Sequence, residues 1–338
     1  MYSSFYGFSA KPFQLKPDPN FFFGSKGHKR AMAYLEYGLS QGEGFIVITG
    51  EVGAGKTTLV RNLFRKLESE KIVAAQIVNT DLDSDDTLRM VAAAFGLPLP
   101  HGNSGKASIL IGLEQFFRQC DKQGKRALLV VDEAQNLSPR TVEELRMLSN
   151  FQTDDRPLLQ TFLLGQPEFR KTLLSSDMQQ LRQRVTATYH LGPMDPAETR
   201  SYIEHRLRTA GGGEDPSFED DAFAAIHDYT DGIPRKINAL CDRLLLMGYL
   251  EKLHNFGSSE VSEVIRDIQH EFDLSIASLP IAGMSDEGKA VTDPERAEAV
   301  RRLEEMAGRV ANLEESVVSL LGLVKEILTL ADVNKRLR

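Results

Sequence analysis

Phe45-Ile46-Val47-Ile48-Thr49-Gly50-Glu51-Val52-Gly53-Ala54-Gly55-Lys56-Thr57-Thr58 decides the fold of this chain. An apolar run breaks into a glycine-rich turn, and a helix-forming stretch follows. The spacing Gly50-x₄-Gly55-Lys56-Thr57 is that of a phosphate-binding loop. Its glycines let the backbone curl so that successive N–H groups face inward, making an anion-binding nest at the positive end of the helix that opens near Lys56. The candidate binding residues are therefore Gly50, Glu51, Val52, Gly53, Ala54, Gly55, Lys56, Thr57 and Thr58. Lys56 is placed to reach β- and γ-phosphates, and Thr57 offers a hydroxyl to Mg²⁺. A merely structural glycine turn is the alternative; the complete spacing in a strand–turn–helix setting argues against it.

Downstream, Leu59, Leu63, Phe64 and Leu67 give one apolar helical face, so the loop feeds a helix. Ile72–Val78 reads as a second strand, and Leu88, Val91, Ala92 and Phe95 as a helix face. A helix over Ile109–Cys120 leads into the uninterrupted apolar strand Ala127–Val131. Apolar strands alternating with helices predict a parallel sheet covered on both faces. The third strand ends in Asp132-Glu133-Ala134-Gln135. Ligands of open α/β sheets collect at the carboxyl ends of strands, so both acids emerge beside the phosphate loop. Asp132 suits Mg²⁺, directly or through water, and Glu133 suits the base that activates a water attacking the γ-phosphate. A solvated strand end is the alternative for an isolated Asp-Glu pair. A further strand, Leu159–Leu164, ends at Gly165-Gln166-Pro167 and brings Gln166 to the same side.

Upstream, Met1 to about Phe23 is crowded with aromatic residues and prolines and cannot be a regular helix. It reads as an extended strap whose rings pack onto the domain that follows it, some of them beside a nucleotide base. Ala31, Met32, Leu35 and Leu39 mark a helix that Gly42-Glu43-Gly44 ends.

The 338 residues suffice for two domains, and 41% hydrophobic with 26% charged residues is ordinary for a globular protein. A net charge of −8 weighs against attraction of the whole surface to nucleic acid or anionic lipid. Two distant cysteines, Cys120 and Cys241, have no metal-ligand spacing and fit a reducing cytoplasm. No stretch approaches the roughly 18 consecutive apolar residues of a membrane span, and no basic-then-apolar leader is read at the amino end.

Phe5-Tyr6-Gly7, Lys11-Pro12-Phe13, Pro17-Asp18-Pro19, the phosphate loop, Asp132-Glu133-Ala134-Gln135, Asn150-Phe151-Gln152-Thr153-Asp154 and Gly165-Gln166-Pro167-Glu168 together resemble one family. It is the AAA+ ATPases of the ExeA/GspA secretion-ATPase type, in the branch associated with XrtA/PEP-CTERM (exosortase) exopolysaccharide loci. The resemblance covers about Met1 to Phe272. It implies a P-loop NTPase (AAA+) αβα sandwich with a helical lid, acting on ATP with Mg²⁺. It implies that Gln166 is the sensor-1 residue, where many relatives carry Asn or Thr. It implies that Leu181-Arg182-Gln183-Arg184-Val185 carries the arginine finger, Arg184 in preference to Arg182, reaching the nucleotide of a neighbouring subunit. Gly232-Ile233-Pro234-Arg235 looks like the sensor-2 signature, with Arg235 reaching the phosphates when the lid closes.

From Asp195 the pattern becomes helical and strands disappear. Beyond a flexible linker, Leu303, Met306, Val310, Leu313, Val317, Leu320, Val324, Ile327 and Ala331 alternate spacings of three and four, which is a coiled-coil seam. A helix folded onto its own ATPase domain is the alternative. The expected organisation is an N-terminal strap and first helix (1–44), an α/β core (45–192), a helical lid (193–272), a linker (273–293) and a coiled-coil helix (294–334). The expected protein is a cytoplasmic homo-oligomeric ATPase, peripheral at the inner membrane through a partner. Its coiled coil contacts a membrane-associated polysaccharide or secretion protein, and nucleic acid is not an expected partner. Two rival readings stand beside it: a DNA-associated AAA+ regulator of the transposition type, and a nucleotide-operated scaffold with slow hydrolysis.

Overall fold

The computed structural model describes residues 2–67, 71–78, 84–98, 105–154, 156–213 and 215–277. The coiled-coil seam and all but the first residues of the expected linker lie outside the described residues. Residues Met1–Ile276 form one compact unit.

A short helix α1 (Tyr2–Phe5) opens the strap, and α2 (Lys26–Gln41) follows it. Ser25 caps α2 by accepting from the His28 N–H, and Gly42, left-handed at φ 74°, ends it. The core then alternates β1 (Phe45–Gly50), α3 (Lys56–Lys66), β2 (Ile72–Ile77), α4 (Ser84–Ala94), α5 (Lys106–Lys122), β3 (Arg126–Val131), α6 (Pro139–Leu148) and β4 (Leu159–Gly165). The helices α7 (Pro167–Leu174) and α8 (Gln179–Arg182) lead to β5 (Val185–Leu191). All pairings are parallel, in the order β2-β3-β4-β1-β5. The α/β parallel-sheet fold expected from the strand–helix alternation is the fold observed.

Strand alternation sorts the side chains into two cores. Phe45, Val47, Leu129 and Val131 face α4, α5, α6 and α7 through Leu88, Phe117, Leu145 and Phe169. Ile46, Ile48, Leu128 and Val130 face α2 and α3 through Leu35, Leu59 and Leu63. Burial on both faces explains why β1 carries no exposed residue. β5 is the outermost strand beside β1, and its residues alternate between exposed and half-buried until Leu191.

The lid comprises α9 (Pro196–Thr209), β6 (Ser217–Phe218), α10 (Asp220–Thr230), α11 (Pro234–Glu251), β7 (Asn255–Phe256) and α12 (Ser258–Ala277). Strands do not disappear entirely from this region, because β6 and β7 form a two-residue parallel pair. α12 continues to Ala277, past the start of the expected linker at residue 273. No proline or glycine interrupts the chain between Gly257 and Pro280, so nothing in the sequence stops the helix at Phe272.

The strap's packing corrects the sequence expectation. Tyr2, Tyr6, Phe8, Phe13 and Phe21 are buried in one cluster with Tyr202, Ile203, Leu240 and Leu244 of the lid, rather than against the sheet domain that follows them in sequence. Phe22 alone among these rings packs on the α2–α3 side of the sheet. The helical lid offers a wide apolar surface, whereas the adjacent sheet face is already covered by α2 and α3.

Candidate functional site

The phosphate loop leaves the carboxyl end of β1 and ends at the amino end of α3, whose N-cap is Gly55. Gly53 adopts φ 85°, and a Cβ there would stand 2.3 Å from Cβ of Arg235, so glycine is required for both conformation and space. Lys56 is buried and folds back over the loop, where Nζ donates to the carbonyls of Gly50 at 2.7 Å and Glu51 at 3.1 Å. Burial lowers its pKa, and the nearby carboxylates of Glu133 and Asp132 oppose that shift.

Thr57 donates its hydroxyl to Asp132 Oδ2 at 2.8 Å, which joins the start of α3 to the end of β3. Gln76 on β2 reaches the same oxygen at 3.4 Å, and the Glu133 N–H donates to Oδ1 at 3.1 Å. Asp132 is buried, and desolvation raises its pKa against the pull of these donors. A hydroxyl on the cavity wall in contact with a buried carboxylate makes a hard-oxygen pair that fits Mg²⁺. Among the described residues, no group of three or more His, Cys, Asp or Glu side chains is arranged to hold a metal ion.

Glu133 takes a left-handed backbone conformation, φ 55° and ψ 41°, which is uncommon for a side chain with a Cβ. Gln166 at the end of β4 lies beside it, with Nε2 donating to Glu133 Oε2 at 3.3 Å. Arg235, the second residue of α11, donates its backbone N–H to the Gly53 carbonyl at 3.2 Å. Gly232 makes that approach possible, since it adopts φ 66° and a Cβ there would lie 2.1 Å from the Met194 carbonyl oxygen. Pro234 then starts α11 with the fixed φ of a first helical residue. Lys56, Thr57, Glu133, Gln166 and Arg235 thus share one cavity of about 290 Å³.

Arg182 and Arg184 lie elsewhere. The Arg184 carbonyl accepts from the Phe45 N–H, at the amino end of β1, and the six-residue strand separates it from the loop by roughly 20 Å. The Arg184 guanidinium donates to Ser149 Oγ at 2.9 Å, and Arg182 donates to the Leu173 and Leu174 carbonyls. Neither side chain lines the cavity of its own chain.

Of the residues at the other end of the cavity, those of the lid were not identified from the sequence. Its walls include Phe22 and Phe23 of the strap with Tyr202, Arg206 and Asn238 of the lid. Arg206 is buried and gathers strap and lid together. It donates to the Pro12 carbonyl at 2.5 Å and to Tyr202 Oη at 2.9 Å, and its guanidinium lies 5.0 Å from the Phe21 ring centroid. Tyr202 in turn donates to Asn238 Oδ1 at 2.8 Å. His28, near the start of α2, is buried beneath the phosphate loop. Its Nδ1 is 2.7 Å from Ser25 Oγ, its ring packs edge-on against Phe22, and it hydrogen-bonds the Ala54 backbone. Burial pushes its pKa down to about 4, so the ring is neutral near pH 7.

The parallel sheet, the loop and its acidic strand end make an α/β fold similar to that of P-loop AAA proteins. Residues 39–173 match the family described as AAA domain. The chain is 38% identical over 289 residues to general secretion pathway protein A of Aeromonas hydrophila, an alignment covering 85% of this chain and 50% of that protein. It is 22% identical over 201 residues to an uncharacterized HTH-type transcriptional regulator of Methanocaldococcus jannaschii, covering 58% of this chain and 45% of the relative. The chain therefore spans about half the length of the curated relatives it matches. Among solved structures, the ORC2 protein of Aeropyrum pernix in its ADPNP–ADP complexes is similar with a TM-score of 0.57 at 17% identity, covering 74% of this chain and 72% of that one. The RuvB Holliday junction branch migration motor of Thermotoga maritima is similar with a TM-score of 0.50 at 22% identity, covering 72% and 70%. These two likenesses concern the fold. Among the described residues, no helix is long and apolar enough to cross a membrane.

Proposed function

We propose that this protein hydrolyses ATP with Mg²⁺, and that it assembles so that one subunit completes the site of the next. The observation that carries this reading is the convergence of Lys56, Thr57–Asp132, Glu133, Gln166 and Arg235 on one cavity. The N–H groups of the loop and the Lys56 ammonium hold the β- and γ-phosphates, and Lys56 exchanges its loop carbonyls for phosphate oxygens. Thr57 and Asp132 would hold Mg²⁺, which would supply positive charge to offset that of the phosphates. Glu133 takes a proton from water as its oxygen attacks the γ-phosphorus; the bond to the bridging oxygen breaks, releasing ADP and phosphate. Gln166 orients that water or the γ-phosphate, and Arg235 brings lid closure to bear on the phosphates.

Arg184, or Arg182 beside it, serves the neighbouring subunit as the arginine finger. Its distance from its own loop supports a role in trans. The likeness to a general secretion pathway protein supports work at a secretion apparatus on the inner membrane, and the motif resemblance supports an exopolysaccharide export system. In this reading the C-terminal coiled coil is the contact to that membrane partner.

Nucleotide binding and turnover of two variants test the chemistry. Lys56→Ala is expected to lose binding of a fluorescent ATP analogue. Glu133→Gln is expected to bind it normally and to lose about 100-fold or more in kcat. Undiminished turnover in Glu133→Gln would remove Glu133 from the role of base.

A further inference from the structure

Asp132 and Glu133 have roles in the reading above, and Ala134 is buried packing. Gln135, the last residue of that run, has none, yet it is bound at both ends of its amide. Its Nε2 donates to Glu133 Oε2 at 2.6 Å, and its Oε1 accepts from the Gln166 backbone N–H at 3.0 Å. Gln166 closes the ring by donating its own Nε2 to the same Glu133 oxygen at 3.3 Å. The partners dictate the orientation of the Gln135 amide. Turned over, it would set its NH₂ against a backbone N–H and its carbonyl against a carboxylate.

The backbone makes this ring possible. Glu133 is left-handed, and its carbonyl accepts from the Asn136 N–H at 3.0 Å, closing the 3₁₀ turn Ala134–Asn136 that carries Gln135 back beside the Glu133 side chain. An uncommon backbone conformation at a non-glycine residue persists where surrounding contacts hold it. Glu133 and Gln166 line the cavity with Lys56 and Arg235, whereas Gln135 is not one of its lining residues. The Gln135 amide therefore meets the carboxylate from outside the cavity.

We propose that Gln135 is a positioning residue for hydrolysis: it fixes the Glu133 carboxylate and couples it to the strand end that presents Gln166, so that base and γ-phosphate contact are held as one unit. This inference rests on the hydrolytic reading above. It adds to that reading a residue outside the cavity lining that acts through Glu133 and through the strand end that presents Gln166. A glutamine suits the task because one planar amide supplies both the donor for the carboxylate and the acceptor for the N–H.

The test is steady-state ATP hydrolysis by the full chain, with affinity for a fluorescent ATP analogue measured separately. Gln135→Ala is expected to lose about 10- to 100-fold in kcat, with KM and analogue affinity within about twofold of the parent. In the Glu133→Gln background the same change is expected to cost far less than in the parent, because the carboxylate that it chiefly positions is already gone. Gln135→Ala and Gln166→Ala together are expected to cost less than the product of the single losses. If Gln135→Ala does not fold, Gln135→Glu retains the shape while removing the donor, and the same kcat loss is expected of it. Parent-like kcat in either folded variant overturns the proposal, as does a rise in kcat, which would make Gln135 a restraint. A loss confined to KM overturns it too. Failure of the underlying reading looks different: the parent protein would show no turnover abolished by Glu133→Gln.

Discussion

His28 couples the stability of the phosphate-loop region to pH in a direction set by its burial. The ring is buried and its pKa falls from 6.5 to about 4. Between those values the unfolded chain binds a proton at this residue that the folded chain excludes, so stability from this site is complete above about pH 6.5 and is lost as pH falls toward 4. The limiting cost is about 3 kcal/mol, from roughly 1.4 kcal/mol for each unit of pKa difference. Between about pH 7.5 and about pH 5 the loss is about 2 kcal/mol. Ser25 supplies the local reason. Its hydroxyl accepts from the His28 N–H and is positioned to donate to Nδ1, and a proton on Nδ1 would oppose that second bond. The assay is urea unfolding of the parent and of His28→Gln at both pH values. Other titrating groups contribute to both proteins and cancel in the comparison. The parent is expected to lose about 2 kcal/mol more than the variant on acidification. Parallel losses would refute the assignment of a buried neutral imidazole beneath the loop.

The remaining expectations concern the strap and the subunit contact. Arg206→Ala leaves the Pro12 carbonyl without its buried guanidinium donor, with an expected cost of about 2–4 kcal/mol in chemical denaturation and weaker nucleotide binding; unchanged values for both would show that the strap holds without it. Arg184→Ala is expected to bind nucleotide normally and hydrolyse it slowly. Mixed with Glu133→Gln subunits, which retain the finger, it should regain turnover above the sum of the two alone; no recovery would remove Arg184 from action in trans.

The loop, the acids after β3 and Gln166 were legible because each is a chemical group at a strand's carboxyl end, and the strands announce themselves as apolar runs. Arg235 was legible through the Gly-Ile-Pro-Arg context, whose glycine and proline prove to be the means of approach and helix start. β5 was not read, although Val185, Ala187 and Tyr189 alternate with Thr186, Thr188 and His190 as an edge strand should. Its neighbours Arg182 and Arg184 drew the reading toward chemistry instead of period. His28 and Arg206 left weaker signals, a lone histidine and a lone arginine on helices. Their roles depend on burial by distant segments. The direction in which the strap packs was not legible at all, since an aromatic, proline-rich stretch carries no period that selects a partner. Gln135 stands in a motif that sequence reading quotes, but its contacts require the left-handed turn at Glu133.

The strap's alliance with the lid changes how nucleotide binding couples to shape. One end of the cavity belongs to the sheet: the loop, Thr57, Glu133 and Gln166. The other belongs to a body in which strap rings and lid helices share one core, with Arg206 binding strap carbonyls. Among the described residues, polar contacts that bridge the two halves include Arg61 of α3 on the Pro17 carbonyl at 2.8 Å and Arg65 on Asn20 Oδ1 at 3.3 Å. Arg235 donates its N–H to Gly53, and Lys26 at the start of α2 meets Asp195 and Glu198 at the start of α9. The Lys26–Asp195 pair is solvent-exposed on both sides and contributes little by itself. Under the proposed reading, a nucleotide spanning the cavity would add to these connections between the halves, through its phosphates on one side and its base on the other. Whatever part of its binding energy depends on both halves being in register is the same free energy that holds the lid closed. Under the proposed hydrolytic reading, cleavage of the γ-phosphate would remove contacts to Lys56, Gln166 and Arg235 at once, and a loosened register between lid and sheet would be its output.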